Sequence, residues 1–351
     1  MIKIKFENNE KFLKVLKSME NVINVNSDET KLKLIKFGSI NRKLCITAIN
    51  PSTRIMYCPE DIQYIEGDNA LYDVKKLISL LSVAKGNVTI DGEEIKSNKC
   101  KYKISFADAI DYPGDILPEI TNYSEINTEE FIEGLNSTIL ATDKIITEGA
   151  LSGVYLNNNK MVACDTNRVF TYQIELKENM NNVILPKNLI KEVLRLPWGD
   201  KLYFTQFGER IIITDGVIAI TSNKLNKEYP KVENILPSKE KNEITIDKNE
   251  FYNALLVVMP VLDDYKKICN LEYSNDKMQI FINNGKESAK TEIPIKIKNE
   301  IEEPIHIKFN MQFLLDVIKA SKEEIKIKTF TENLGYMFES GKAMQFIMPM
   351  I

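Results

Sequence analysis

The sequence predicts an α+β fold in which one unit, two helices packed on antiparallel sheet, occurs three times along the chain. Three observations carry that prediction. The first is a cassette of strand, polar corner and strand, clearest in SGVYLNNNKMVACDTNRVFTY at residues 152–172. Strands at 153–156 and 160–164 flank Asn157, Asn158 and Asn159, and asparagine tolerates the left-handed backbone of a tight hairpin. After the corner Asp165–Thr166–Asn167–Arg168 the chain turns β-branched and aromatic again over 168–174. The cassette recurs at 44–58 (LCITA, INPST, RIMYC) and from 277 (KMQIFI, NNGKES, then a strand ending IPIKI). The second observation is a short amphipathic helix running straight into a strand, at 73–90, 186–205 and 310–330. The third is a Tyr–Pro loop, DYPGDILP at 111–118 and EYPKVENILP at 228–237. The offsets are about 120 residues, well beyond the roughly 20–50 of solenoid repeats, so a whole domain is repeated.

The first expected domain is 1–121. Residues 1–6 alternate apolar and charged like a half-buried strand. Asn9 is placed to cap a helix over 10–22, whose Phe12, Leu13, Val15, Leu16, Met19 and Val22 follow a 3.6 period. Strands are expected at 31–37, 43–48, 54–59, 88–91 and 100–106, with a second helix over 74–83. The second domain, 122–242, opens with a helix over 128–142. It continues through the hairpin to a helix over 187–196 and strands at 201–204, 210–215 and 217–222, with Asp215–Gly216 as a turn. The third, 243–351, holds a strand at 243–246, a helix over 248–261 and a polar corner at 263–266. Strands at 268–273 and 277–282, a helix over 311–321 and strands at 324–330, 336–339 and 343–348 complete it.

Composition narrows the function. The chain has 351 residues, 44% hydrophobic and 27% charged, as an ordinary soluble globular protein has. No apolar run approaches the roughly 20 residues of a membrane helix, so a cytoplasmic protein with no membrane partner is expected. Five cysteines with no C-x-x-C spacing read as reduced core thiols. The single histidine, His306, sits in the strand pattern PIHIKF and cannot build a His-based metal site or triad. Glu129, Glu130 and Glu133 suit the first turn of a helix better than a metal. Phosphate-loop, dinucleotide, nucleophile-elbow and zincin motifs are absent, so neither a catalytic residue, a metal nor a cofactor is expected.

The helices carry the functional signal. Lys14 and Lys17, Lys75, Lys319, and the four-spaced Lys187, Lys191 and Arg195 lie on or beside polar helix faces. Collected on one side of a triplicated sheet, they would give a lining that follows phosphates without reading bases.

With those residues, LSGV at 151–154, ACDTNR at 163–168, EYP…ILP at 228–237, FNMQFLLDVIKA at 309–320 and the terminal MPM at 348–350, the chain resembles the bacterial DNA polymerase III beta subunit family, the replicative sliding clamps. The resemblance spans the chain and is weakest before about residue 70. It implies a homodimer of three-domain subunits, six domains in one ring, that encircles DNA as a processivity factor. It also implies a pocket that receives short peptides from DNA polymerases, the clamp loader and other partners. By motif, the pocket residues are Leu151, Cys164, Thr166, Asn167, Arg168, Val169, Pro230, Asn234, Ile235, Tyr265, Asn310, Phe313, Phe346, Met348, Pro349 and Met350. Arg168 and Asn310 are expected as polar guides beside soft apolar walls. Tyr102 and Ile104 are expected to meet Met259 and Leu262 of the partner subunit across the dimer interface. Thr166–Asn167 stands where the family has Gly–His, Cys164 where it has Thr, and the tail lacks Arg–Leu. These departures leave as alternative a clamp-fold scaffold of a mobile element, or a second clamp, that recruits partners without a general replication role.

Overall fold

The computed structural model describes residues 2–7, 10–23, 30–40, 42–67, 69–98, 100–113, 122–143, 149–263, 265–331 and 335–350. Six α-helices lie among them: α1 Glu10–Val22, α2 Val74–Val83, α3 Thr128–Thr138, α4 Lys187–Arg195, α5 Lys248–Val258 and α6 Met311–Ala320. Their starts are set by side-chain caps. Asp73 Oδ1 accepts from the N–H groups of Lys75 and Lys76, Asn127 from Glu130, Asp247 from Asn249 and Glu250, and Asn310 from Gln312. The expected cap Asn9 and part of the 111–118 loop lie outside the described residues. α3 and α5 stop short of their predicted ends, each tightening into a single 3₁₀ turn, Ile139–Ala141 and Met259–Val261.

The chain forms two compact units. One comprises Met1–Ile132, Lys177–Met180 and Asn188–Lys224; the other comprises Glu133–Leu176, Asn181–Lys187 and Leu225–Ile351. In the first unit a nine-stranded antiparallel sheet runs in the order Phe106–Asp108, Ala70–Tyr72, Ile35–Ile40, Lys43–Ile49, Thr53–Tyr57, Ile218–Asn223, Arg210–Thr214, Lys201–Phe207, Ser124–Asn127. A five-stranded sheet has the order Gln63–Glu66, Lys3–Glu7, Asn87–Asp91, Glu94–Ser97, Cys100–Lys103. α1 packs on α2 and buries Phe12, Val15, Leu16, Met19 and Val22.

The second unit repeats the plan. Its nine-stranded sheet has the order Val183–Pro186, Gly153–Asn157, Lys160–Cys164, Arg168–Gln173, Ala343–Ile347, Tyr336–Ser340, Glu324–Phe330, Glu240–Asp247, Lys296–Ile297. A four-stranded sheet orders Ser288–Pro294, Lys277–Asn283, Ile268–Tyr273, Ile305–Asn310, and α5 packs on α6. Each large sheet therefore joins strands from two of the expected sequence thirds. That continuity is why compactness divides the chain in two where the repeat divides it in three.

The repeat is visible in its hydrogen bonds. Asn50 Oδ1 accepts from the N–H groups of Ser52 (2.9 Å) and Thr53 (2.7 Å), Asp165 Oδ1 from Asn167 (2.9 Å) and Arg168 (3.1 Å), and Asn284 Oδ1 from Lys286 (2.9 Å) and Glu287 (2.8 Å). One side-chain-closed turn thus joins the cassette strands all three times. The asparagine hairpin holds Asn158 at φ 50° and Asn159 at φ 57°, the left-handed conformation that its sequence predicts.

Three expectations are corrected. The strand expected over 100–106 ends at Lys103 in the five-stranded sheet, and Phe106–Asp108 pairs in the nine-stranded one. Residues 30–33 form a 3₁₀ turn, and the strand begins only at Ile35. The cysteines are not uniformly reduced core thiols. Antiparallel register sets Ile46 opposite Tyr57, which brings the next pair, Cys45 and Cys58, together as a disulfide. Cys100 is exposed, and only Cys164 and Cys269 are buried thiols.

Candidate peptide-docking site

The corner at 165–168 sorts its neighbours by strand alternation. Cys164 lies opposite Val169, and Val169 lies opposite Phe346 on the next strand. Directly opposed residues share a face, and adjacent ones on a strand point to opposite faces. Val169, Cys164 and Phe346 accordingly join Val162, Ile184, Tyr229, Val232 and Phe330 in one apolar cluster, with Leu151, Leu236, Met337 and Met344 packed against it. Gly153, inside the LSGV motif, lies where a Cβ would strike the Leu185 carbonyl, so no larger residue fits beside Leu151 and Ser152.

Tyr229 ties the cluster floor to the Tyr–Pro loop. Its ring stacks on Tyr155 with centroids 4.8 Å apart, and its hydroxyl accepts the Cys164 N–H at 3.0 Å while lying 3.5 Å from Cys164 Sγ. Burial pushes the Cys164 thiol above its ordinary pKa, and desolvation likewise raises the Tyr229 phenol. Beside this floor a cavity of about 540 Å³ is lined by Tyr155, Val162, Tyr229 and Pro230 among others.

The rim is exposed and soft. Pro230 and Asn234 are exposed, Ile235 is 55% exposed and Met348 is 38% exposed. Met348 is held to the corner by its N–H, which donates to the Asn167 carbonyl at 2.9 Å. Thr166 and Asn167 are exposed, and Pro349 and Met350 half-buried, with the Met350 N–H donating to the Lys308 carbonyl at 2.8 Å. Tyr265 is 96% exposed and belongs to no described cluster.

Arg168 does not serve as a polar guide. It points to the face opposite Val169, where its side chain is 1% exposed. Nε binds Asp165 Oδ2 at 2.9 Å, Nη1 binds Asp316 Oδ2 at 2.6 Å, and Nη2 donates to the Leu140 carbonyl at 2.6 Å. Its guanidinium lies 4.3 Å from the Phe313 ring centroid. Each of the three guanidinium nitrogens is bonded inside the protein, so Arg168 and Phe313 bolt α6 to the sheet. Asn310 is likewise engaged through Oδ1, as the α6 cap. Val162, Ile184, Tyr229, Val232 and Phe330 of the cluster are not among the expected pocket residues. Tyr229 was signalled by its place in the EYP motif; Ile184 and Phe330 reach the floor only through long-range pairing.

Of the expected DNA-facing cations, Lys14, Lys17, Lys75, Lys191, Arg195 and Lys319 are exposed. Lys187 is half-buried, its ammonium donating to the Thr142 and Asp143 carbonyls. Arg195 Nη1 binds Glu192 at 2.6 Å, and burial raises the pKa of that carboxyl. At the expected dimer edge, Tyr102 is half-exposed on the outermost strand of the five-stranded sheet, but Ile104 is already buried. Met259 and Leu262 are half-buried, and Tyr252, Leu256 and Val257 of α5 are the larger exposed apolar groups nearby in sequence.

Among the described residues no group of three or more His, Cys, Asp or Glu is placed to hold a metal, and no helix is long and apolar enough to cross a membrane. Residues 233–350 match the family model for the DNA polymerase III beta subunit, C-terminal domain. The beta sliding clamp of Helicobacter pylori is 24% identical over 270 residues, covering 70% of this chain and 69% of its own. That of Mycoplasmopsis pulmonis is 23% identical over 360 residues, covering 95% and 94%. The solved DNA polymerase III beta subunit of Thermotoga maritima has TM-score 0.86 at 17% identity, with both chains fully covered. The Pseudomonas aeruginosa sliding clamp bound to griselimycin has TM-score 0.85 at 17% identity, covering 100% and 99%.

Proposed function

We propose that this chain, a member of the DNA polymerase III beta subunit family by its residues 233–350 and a sliding clamp in fold along its whole length, tethers replication proteins to duplex DNA as a processivity factor. The observation that carries the reading is the family match itself, which takes in the Tyr–Pro loop from Glu233, the α6 cap and the Met348–Met350 tail. Named relatives favour the replicative clamp over the accessory scaffold. The working form is a cytoplasmic homodimeric ring of three domains per subunit, 1–121, 122–242 and 243–351. What supports the three domains is the cassette of two strands joined by a side-chain-closed turn, at Asn50, at Asp165 and at Asn284.

Exposed lysines on α1, α2, α4 and α6 line the hole and neutralise phosphate through counterion release, which holds DNA without fixing position. The cluster of Val169, Phe346 and Tyr229, rimmed by Ile235 and Met348, receives the apolar anchors of polymerase and loader peptides. Capture of a glutamine-leading peptide ending in leucine and phenylalanine tests this, by calorimetry on the Met348→Ala, Met350→Ala double variant. Each truncation is expected to cost about 1–3 kcal/mol of affinity with the dimer intact. Unchanged affinity refutes the pocket, and equal retention on nicked circular and linear DNA refutes the ring.

A further inference from the structure

We propose that the first unit carries a second peptide-docking groove, at the 50–53 corner, for an extended segment that bears an apolar side chain beside carboxylates. A cavity of about 420 Å³ opens there, within the range of ligand-binding clefts. Its wall is a cross-strand row in which Ile49 faces Arg54, Arg54 faces Thr221 and Thr221 faces Ile212. The row Cys164, Val169, Phe346, Met337 occupies the same place in the other large sheet. The corners match too: the Asn223 N–H donates to the Ser52 carbonyl at 3.2 Å, as Met348 does to Asn167.

The filling differs and sets the ligand. Arg54 stands where the second unit has Val169, and Thr221 where it has Phe346. Ile212 is 1% exposed and forms an apolar floor; Phe207, directly opposite Arg210, is 61% exposed at the edge. Phe207 and Ile212 are the apolar contacts that the cavity offers one anchor side chain on this side. The lining holds two arginines to one glutamate, Glu209, and the exposed Arg210 can take a carboxylate in bidentate geometry beside the half-buried Arg54. A nucleic acid strand fits less well. Glu209 opposes closely spaced phosphates, and Phe207 is the one aromatic side chain lining the cavity on which a base could stack. The groove is separate from the Met348 pocket, so either site can fail without the other.

The test is fluorescence anisotropy on the full chain, with fluorescein-labelled Asp-Leu-Phe-Asp-Leu amide and its Asn-for-Asp counterpart as probes. The acidic peptide is expected to bind about tenfold tighter at low salt, the effect of one charge-assisted hydrogen bond. Arg54→Gln with Arg210→Gln should erase that preference, and Phe207→Ala should weaken both peptides. Ile235→Ala with Met348→Ala should leave the acidic preference intact. Equal affinity for the two peptides overturns the proposal, as does a preference that survives loss of both arginines. Tighter binding of a short oligothymidylate that displaces the acidic peptide overturns it as well.

Discussion

The two nine-stranded sheets contain the same corner and use the residue after its turn in opposite ways. At 50–53 the turn ends in Thr53, which is buried without a charge. At 165–168 it ends in Arg168, equally buried, with Asp165 and Asp316 on its guanidinium and Phe313 beneath it. The turn geometry is the same, since each is closed by one Asn or Asp oxygen on two N–H groups. A repeated backbone thus leaves the face beneath the corner free to become either an uncharged seam or a charged bolt. The second choice brings α6 against the same sheet that carries the proposed pocket on its other face.

The largest expected effect breaks that bolt. Arg168→Leu takes the 2.6 Å guanidinium from Oδ2 of the Asp316 carboxylate, 6% exposed in its side chain, and leaves it Gln312 at 2.9 Å and Lys319 only at 3.9 Å. Removing one partner of a buried pair costs about 3–5 kcal/mol. The mirrored Thr53→Val should cost less than about 1.5 kcal/mol, since at most a weak hydroxyl contact is lost. Urea unfolding followed by circular dichroism compares the two. Equal costs would mean that the guanidinium is replaceable by packing.

A smaller effect sharpens the comparison at the Tyr–Pro loops. The Tyr112 hydroxyl lies 3.3 Å from both the Leu34 and the Thr47 carbonyl oxygens, while Tyr229 accepts the Cys164 N–H. Tyr112→Phe removes a donor from carbonyls, whereas Tyr229→Phe leaves a buried N–H unsatisfied. The expected losses are about 1 kcal/mol for the first and about 1–3 kcal/mol for the second. A larger loss at Tyr112 would reverse the assignment of Tyr229 as the keystone of the apolar floor.

Legibility in the sequence followed the range of the cause. Helices were legible because caps and 3.6 periodicity act within a few residues; Val74–Val83 follows from Asp73 and its Leu77 and Leu81. The three corners were legible because an Asx turn is a four-residue event. Short strands such as Ala70–Tyr72 and Glu94–Ser97 were not, because pairing with distant strands makes them. The pocket floor was half-legible. Val169 and Phe346 stood beside the ACDTNR and MPM motifs, but that Arg168 faces away from them depends on the register of three strands. Cys45 and Cys58 stood in adjacent predicted strands, yet only the exact pairing sets them opposite each other.

The smallest expected effect separates the two units by their cysteines at alkaline pH. In the first unit Cys45 and Cys58 are joined and do not titrate. In the second, burial pushes the Cys269 thiol from 9.0 up to about 12. Above pH 9 the unfolded chain releases this proton while the native chain keeps it. The unfolded state then binds fewer protons, so stability falls as pH rises from 9 towards 12. By pH 10 the loss is about 1 kcal/mol, part of a limiting slope of about 1.4 kcal/mol per pH unit. Cys269→Ala removes the titrating group, so its stability should change less than the wild type's between pH 8 and pH 10. The single tryptophan, Trp198, lies in the first unit with its indole N–H on the Val193 carbonyl at 2.7 Å, and its fluorescence reports that unit. The difference between wild type and variant should appear in far-ultraviolet circular dichroism and not in the Trp198 transition. A shift of equal size in both signals would show that the units unfold as one, and the contrast between them would then be one of structure alone.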